Sequence, residues 1–171
     1  MKPIKTVARS LIGCCICLLL AVPLLHAELS ASYKAANTTE SEELIAFKAA
    51  IRAKYDMKEA AFRANDVEPI INRFYSDRVM SVDGDGNVHR GRAGIRPVYE
   101  EVIGSLVRIE SVETVVNGDA GWDWVNFHVS FPPEAELEPF SFMMVFLWER
   151  IDGEWWSHGE MYVPGAFDMS N

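Results

Sequence analysis

Four residues in this chain are candidates for moving protons, and each sits on a strand-like run. Asp83 ends the run Val79–Asp83, where Val79, Ser81 and Asp83 share one face. His128 lies in Ala120–Phe131, on a face with Trp122, Trp124, Asn126 and Ser130, opposite Val125, Phe127, Val129 and Phe131. His158 and Glu160 share a face of Glu154–Val163 with Trp156 and Tyr162. A carboxylate or imidazole beside apolar walls suits general acid–base work, because desolvation moves a carboxylate's pKa toward neutrality. Facing inward, Asp83, His128, His158 and Glu160 would ring a cavity, with Trp124 and Asn126 against a ligand. Facing outward, they would belong to solvent or to a partner. Asp83 has a second reading, as the first residue of the turn Asp83-Gly84-Asp85-Gly86-Asn87.

Other chemistries find no support. The Asp83 turn imitates a calcium loop, but Val88 stands at the position that needs glycine and Gly94 at the one that needs glutamate. His89, His128 and His158 with acidic neighbours have no diagnostic metal spacing, so neither metal nor cofactor is expected. Gly-x-Ser-x-Gly and phosphate-loop patterns are absent. Cys14, Cys15 and Cys17 crowd the first residues, leaving no cysteine beyond them for disulfides, nucleophiles or thiolate ligands.

The elements that must position these residues follow from periodicity. Leu44, Phe47, Ile51, Tyr55 and Phe62 recur at helical steps after a Ser41 cap, giving one long helix to Asn65-Asp66. Lys58 falls inside that stripe, either snorkelling from its edge or supplying a pocket cation. Asp66 caps a shorter helix burying Ile70, Ile71 and Phe74, which Asp77-Arg78 closes. A hairpin leads to a third helix from Gly91 to about Ser105, burying Ile95, Val98, Tyr99, Val102 and Ile103. Four strands end the chain, Leu106–Val116, Ala120–Phe131, Phe140–Ile151 and Glu154–Val163. The order α-α-β-β-α-β-β-β-β predicts an α+β fold with one curved antiparallel sheet wrapped around helices. Phe140–Ile151 is apolar on both faces for most of its length, so its outer face should also be covered, and a homodimer is expected.

Residues 1–27 read as a secretory signal, with Lys2, Lys5 and Arg9 before an apolar run and Leu25-His26-Ala27 as the cleavage site. The run is near 15 residues where a spanning helix needs about 20, so no stable membrane insertion is expected after cleavage. Leu11-Ile12-Gly13-Cys14 imitates a lipobox, but only Ser10–Gly13 separates Arg9 from Cys14, too short for the usual apolar region, so a lipoprotein is not expected. The expected location is secreted or periplasmic, with residues 28–41 a flexible leader and 42–171 the domain. Removing three cations and no anions takes the formal charge from −9 to −12, which argues against nucleic acid as a partner.

The Asn65-Asp66 break, Phe74–Val79, His89–Ile95 and the Asp152–Trp155 hairpin resemble, in that order, the nuclear transport factor 2-like (cystatin-like) superfamily, and within it the SnoaL-like and ketosteroid isomerase-like branch. The resemblance spans roughly Glu43 to Pro164. It implies a cone enclosing a pocket for a small apolar molecule, with cofactor-free acid–base chemistry of isomerase or cyclase type. The alternative is a non-catalytic ligand-binding or dimerisation module. It matches Asp83 to the isomerases' proton-shuttling carboxylate and inclines the polar strand faces inward. The isomerases' helical tyrosine matches Lys58, with Tyr55 one turn away, while Met143–Leu147 holds no acid for their oxyanion site. Tyr55, Lys58, Tyr99, Trp124 and Asn126 are the expected ligand contacts.

Overall fold

The computed structural model describes residues 40–170. The signal and lipobox readings, and the leader apart from Glu40 and Ser41, lie outside the described residues. Helix α1 (Glu42–Ala64) starts where the Ser41 side chain accepts from the Leu44 N–H at 3.1 Å. Glu42 and Glu43 stand in its first turn, where the helix dipole favours negative charge. It ends at Asn65, whose left-handed backbone (φ 54°) lets its N–H reach the Ala61 and Phe62 carbonyls. Its buried stripe is Phe47, Ile51, Tyr55, Lys58 and Phe62.

A π-helical turn (Ile70–Phe74) buries Ile70, Ile71 and Phe74, and strand β1 (Tyr75–Val82) begins at once. The shorter helix was expected to run to Asp77-Arg78; it stops earlier because Tyr75 already has extended backbone and faces the core. The hairpin to β2 (Val88–Arg90) leads into α2 (Gly91–Val102). Gly91 has φ +67°, and a Cβ there would lie 3.3 Å from the Asp77 carbonyl, so glycine fits this corner on both counts. Strands β3 (Leu106–Asn117), β4 (Ala120–Ser130), β5 (Phe140–Ile151) and β6 (Glu154–Pro164) form the expected meander.

The strands make one six-stranded sheet in the order β2-β1-β6-β5-β4-β3. It is mixed rather than wholly antiparallel, because β6 returns beside β1 in the same direction, Ser81 opposite Glu160. Helix α1 lies against its inner face, where Phe47, Tyr55, Phe62, Phe74, Phe146 and Trp148 fill the core. The β1–β6 pairing shifts register between Tyr75 and Met80, and two single-residue bulges break the alternation elsewhere. Val112 is extra in β3, between the pairs Ser111–Val125 and Glu113–Trp124. His158 is extra in β6, between Trp148–Ser157 and Leu147–Gly159.

Candidate active site

The bulge at His158 decides which residues meet. Before it Trp155 and Ser157 point inward; after it Glu160 does, and His158 is left on the outer side. Glu160 thereby reaches a buried polar cluster built from four elements. Lys58 on α1 donates to the phenol oxygens of Tyr75 on β1 (2.6 Å) and Tyr99 on α2 (2.7 Å). Glu160 accepts from Ser81 on Oε1 at 2.8 Å and from Tyr75 on Oε2. The two phenols are hydrogen-bonded to each other, and Tyr99 lies 3.4 Å from Glu160 Oε2. Lys58 Nζ stands 3.9 Å from the same oxygen.

Lys58 is wholly buried, its ammonium 4.2 to 5.6 Å from the ring centres of Phe74, Tyr75, Tyr99, Phe127 and Phe146. Those rings offer cation–π attraction but little of water's solvation, and burial brings the Lys58 pKa down to about 7, with Glu160 opposing the fall. Burial first, and Glu160 second, pushes the Tyr75 and Tyr99 phenols well above their usual range, so both remain neutral donors at ordinary pH.

A cavity of about 310 Å³ opens beside this cluster, and Tyr99 and Glu160 line it. Its walls are apolar, among them Phe62, Phe127, Val129, Phe142 and Met144, with Tyr162 alongside. Lys58 stands one layer behind, bonded to the wall residue Tyr99. Tyr75 gives its one proton to Glu160, so Tyr99 is the donor in the bond between the two phenols, and its O–H, on the cavity wall, meets a ligand oxygen by turning away from Tyr75.

Of the residues expected at the site, the fold brings Lys58, Tyr99 and Glu160 together and sends the others elsewhere. Asp83 staples the turn, accepting from the Asp85 N–H (3.0 Å), the Asn87 N–H (2.8 Å), the Asn87 amide (3.0 Å) and pairing with His89 (3.2 Å). The Asn87 amide foremost holds its carboxyl down to about 2, a poor base, and it does not line the cavity. Tyr55 points away, donating to Asp123 at 2.8 Å; Ser111 and Thr114 also donate to that buried carboxylate, each at 2.6 Å.

The polar face of β4 turns outward, because Val125, Phe127 and Val129 take the core. His128 bridges Ser141 (2.9 Å) and Glu110 (3.2 Å) there, and His158 contacts Ser76 (3.1 Å) and Glu149 (3.4 Å). Asn126 is buried by the C-terminal segment, exchanging two hydrogen bonds with the Phe167 backbone, while Phe167 sets its ring edge on Trp124. Tyr75 and Ser81 are the cluster members absent from the sequence-based expectation. Ser81 shared the inward face of β1, a usable signal; Tyr75 was hidden by the overlong helix.

One curved sheet laid over a long helix, with an apolar cavity and a polar cluster at its end, defines a conical α+β pocket domain of the nuclear transport factor 2-like, cystatin-like type. The SnoaL-like domain family matches residues 55–158, and the chain belongs to that family. No curated protein matches it. Among solved structures it is similar to a nuclear transport factor 2-like protein of unknown function from Pseudomonas putida (TM-score 0.61, 19% identity, 74% of this chain and 91% of that one). A ketosteroid isomerase-like protein from Erwinia carotovora atroseptica gives a TM-score of 0.60 at 19% identity over 75% of this chain and all of that one (100%). A domain of unknown function with a cystatin-like fold from Nostoc punctiforme gives 0.60 at 17% identity, over 75% and 81%. At such identities the likeness is one of fold.

Proposed function

We propose that this SnoaL-like domain binds a small apolar molecule carrying one oxygen function and exchanges a proton with it without a cofactor. The observation that carries this reading is the apolar cavity ending on Tyr99 and Glu160, with Lys58 behind them. Its volume of about 310 Å³ reaches the lower range for a drug-sized ligand. Tyr99 turns its O–H from Tyr75 to donate to the ligand's oxygen. Its acidity in that bond is raised by the Lys58 ammonium donating to the same phenol oxygen. Glu160 takes and returns the proton, held in place by Ser81 and Tyr75. The role expected of Asp83 passes to Glu160, the buried carboxylate of the two that line the cavity. The test is a panel of neutral sterol, polyketide and aromatic carbonyl compounds, read by thermal shift and by turnover. Glu160→Gln should retain binding within a few-fold and lose turnover by about 10²-fold or more. Unchanged turnover in that variant would remove Glu160 from the chemistry, and turnover absent from wild type with binding intact would leave a ligand-binding module.

The same reading includes a homodimer through the outer sheet face. Trp122 lies opposite Leu147, Val145 opposite Met161 and Met143 opposite Val163, an apolar band across three strands. Trp122, Leu147, Met161 and Val163 are each more than two-fifths exposed. A second copy is a self-complementary cover for such a face. It also includes export, on the signal character of residues 1–27, which comparing the mass of the exported protein with that of the full chain would test.

A further inference from the structure

The cavity's electrostatics are one-sided. Its lining includes two carboxylates, Glu101 and Glu160, and among the described residues no basic side chain. Lys58 answers Glu160 from behind Tyr75 and Tyr99 and does not reach the cavity. Burial raises the Tyr162 phenol to about 12, and Glu160, Asp83, Asp85 and Glu101 all add to the rise. Of these carboxylates, Glu160 on β6 and Glu101 at the end of α2 line the cavity itself, on separate elements of its wall. The loop joining the wall residues Phe131 and Phe140 adds Glu134, Glu136 and Glu138, all exposed, and contains no Lys or Arg. The walls themselves are largely aromatic, with Phe62, Phe127, Phe131, Phe140 and Phe142 beside the Tyr99 and Tyr162 rings.

Aromatic faces attract cations and repel anions, most strongly when water is excluded. A weakly hydrated ammonium loses little on leaving water for such a lining, whereas a carboxylate would lose its hydration and meet like charge. We propose that the cavity takes a lipophilic organic cation, an amine or quaternary ammonium carried on an apolar body, and rejects fatty acids and other lipophilic anions. This rests on the preceding reading of the cavity as a ligand site and narrows its ligand class. The charged end lies toward Glu101 and the Tyr162 ring, and the apolar body lies along the phenylalanine walls.

A matched set of probes tests it by calorimetry: benzyltrimethylammonium, its neutral isostere neopentylbenzene, and 3-phenylpropionate. The cation should bind about ten-fold more tightly than the isostere at low salt, and the anion should not bind. Glu101→Gln, an exposed change at the end of a helix, should weaken the cation about three-fold and leave the isostere unchanged. Added salt should erode the cation's advantage. Equal or tighter binding of the neutral isostere, or binding of the anion, would overturn the cation inference and leave the cavity a ligand site. Binding of none of the three would overturn both.

Discussion

At the scale of single residues, the site turns on Lys58 and Glu160, a buried ion pair held apart by phenols. Removing one partner leaves the other buried and unmatched, so Lys58→Met and Glu160→Gln should each cost about 3 kcal/mol or more in chemical denaturation. The double variant should be less destabilised than the sum of the singles by about 1–3 kcal/mol, whereas strict additivity would mean the two side chains do not interact. Lys58 also sets a pH dependence. Its folded pKa of about 7 lies below its unfolded value of about 10.4, so between those limits the unfolded chain binds the extra proton. Stability should therefore rise from pH 7 toward pH 9, by up to about 1.4 kcal/mol per pH unit from this group. Lys58→Met should lack that rise; an equal rise in both proteins would assign it to other groups. Lys58 was conspicuous in the sequence as a cation in an apolar helical stripe, and Glu160 as an acid among aromatics. Asp83 was equally conspicuous, with two readings, and of these its hydrogen bonds to Asp85 and Asn87 fit the turn rather than the base, a choice that alternation alone could not make.

At the scale of elements, positions were legible and facings were not. The long helix, the hairpin and the four closing strands fall within a few residues of their expected limits, since capping, periodicity and turn chemistry are local signals. The facing of His158 against Glu160 depended on one extra residue in β6, and two-residue periodicity has no means of announcing a bulge. The short helix was overextended because Phe74-Tyr75 continues an apolar pattern that only tertiary packing converts to strand. One close approach gives a sharp test. A Cβ on Gly121 would meet the Phe47 ring at 2.7 Å and the Val115 carbonyl at 2.8 Å. Gly121→Ala should thus destabilise by roughly 1–3 kcal/mol, despite the usual preference for alanine over glycine. A Tm equal to or above that of wild type would show that β4 and α1 can separate freely.

At the scale of the whole molecule, the cone leaves two surfaces to be occupied, the outer sheet face and the inner cavity. For the outer face, light scattering should find a dimer, and Leu147→Glu should shift it to monomer with the cavity intact. A wild-type monomer at tens of micromolar would end the dimer proposal. The family and the fold were both readable from ordered motifs, but those motifs lie on turns and element ends and say little about which side chains reach the interior. The most direct measurement for the central claim is calorimetric binding of a neutral aromatic ketone to wild type and to Val129→Trp, whose indole would fill the cavity from β4. Saturable one-to-one binding by wild type, lost in a folded Val129→Trp variant, is the predicted result. Equal binding by both proteins, or none by wild type to any compound of the panel, would contradict it.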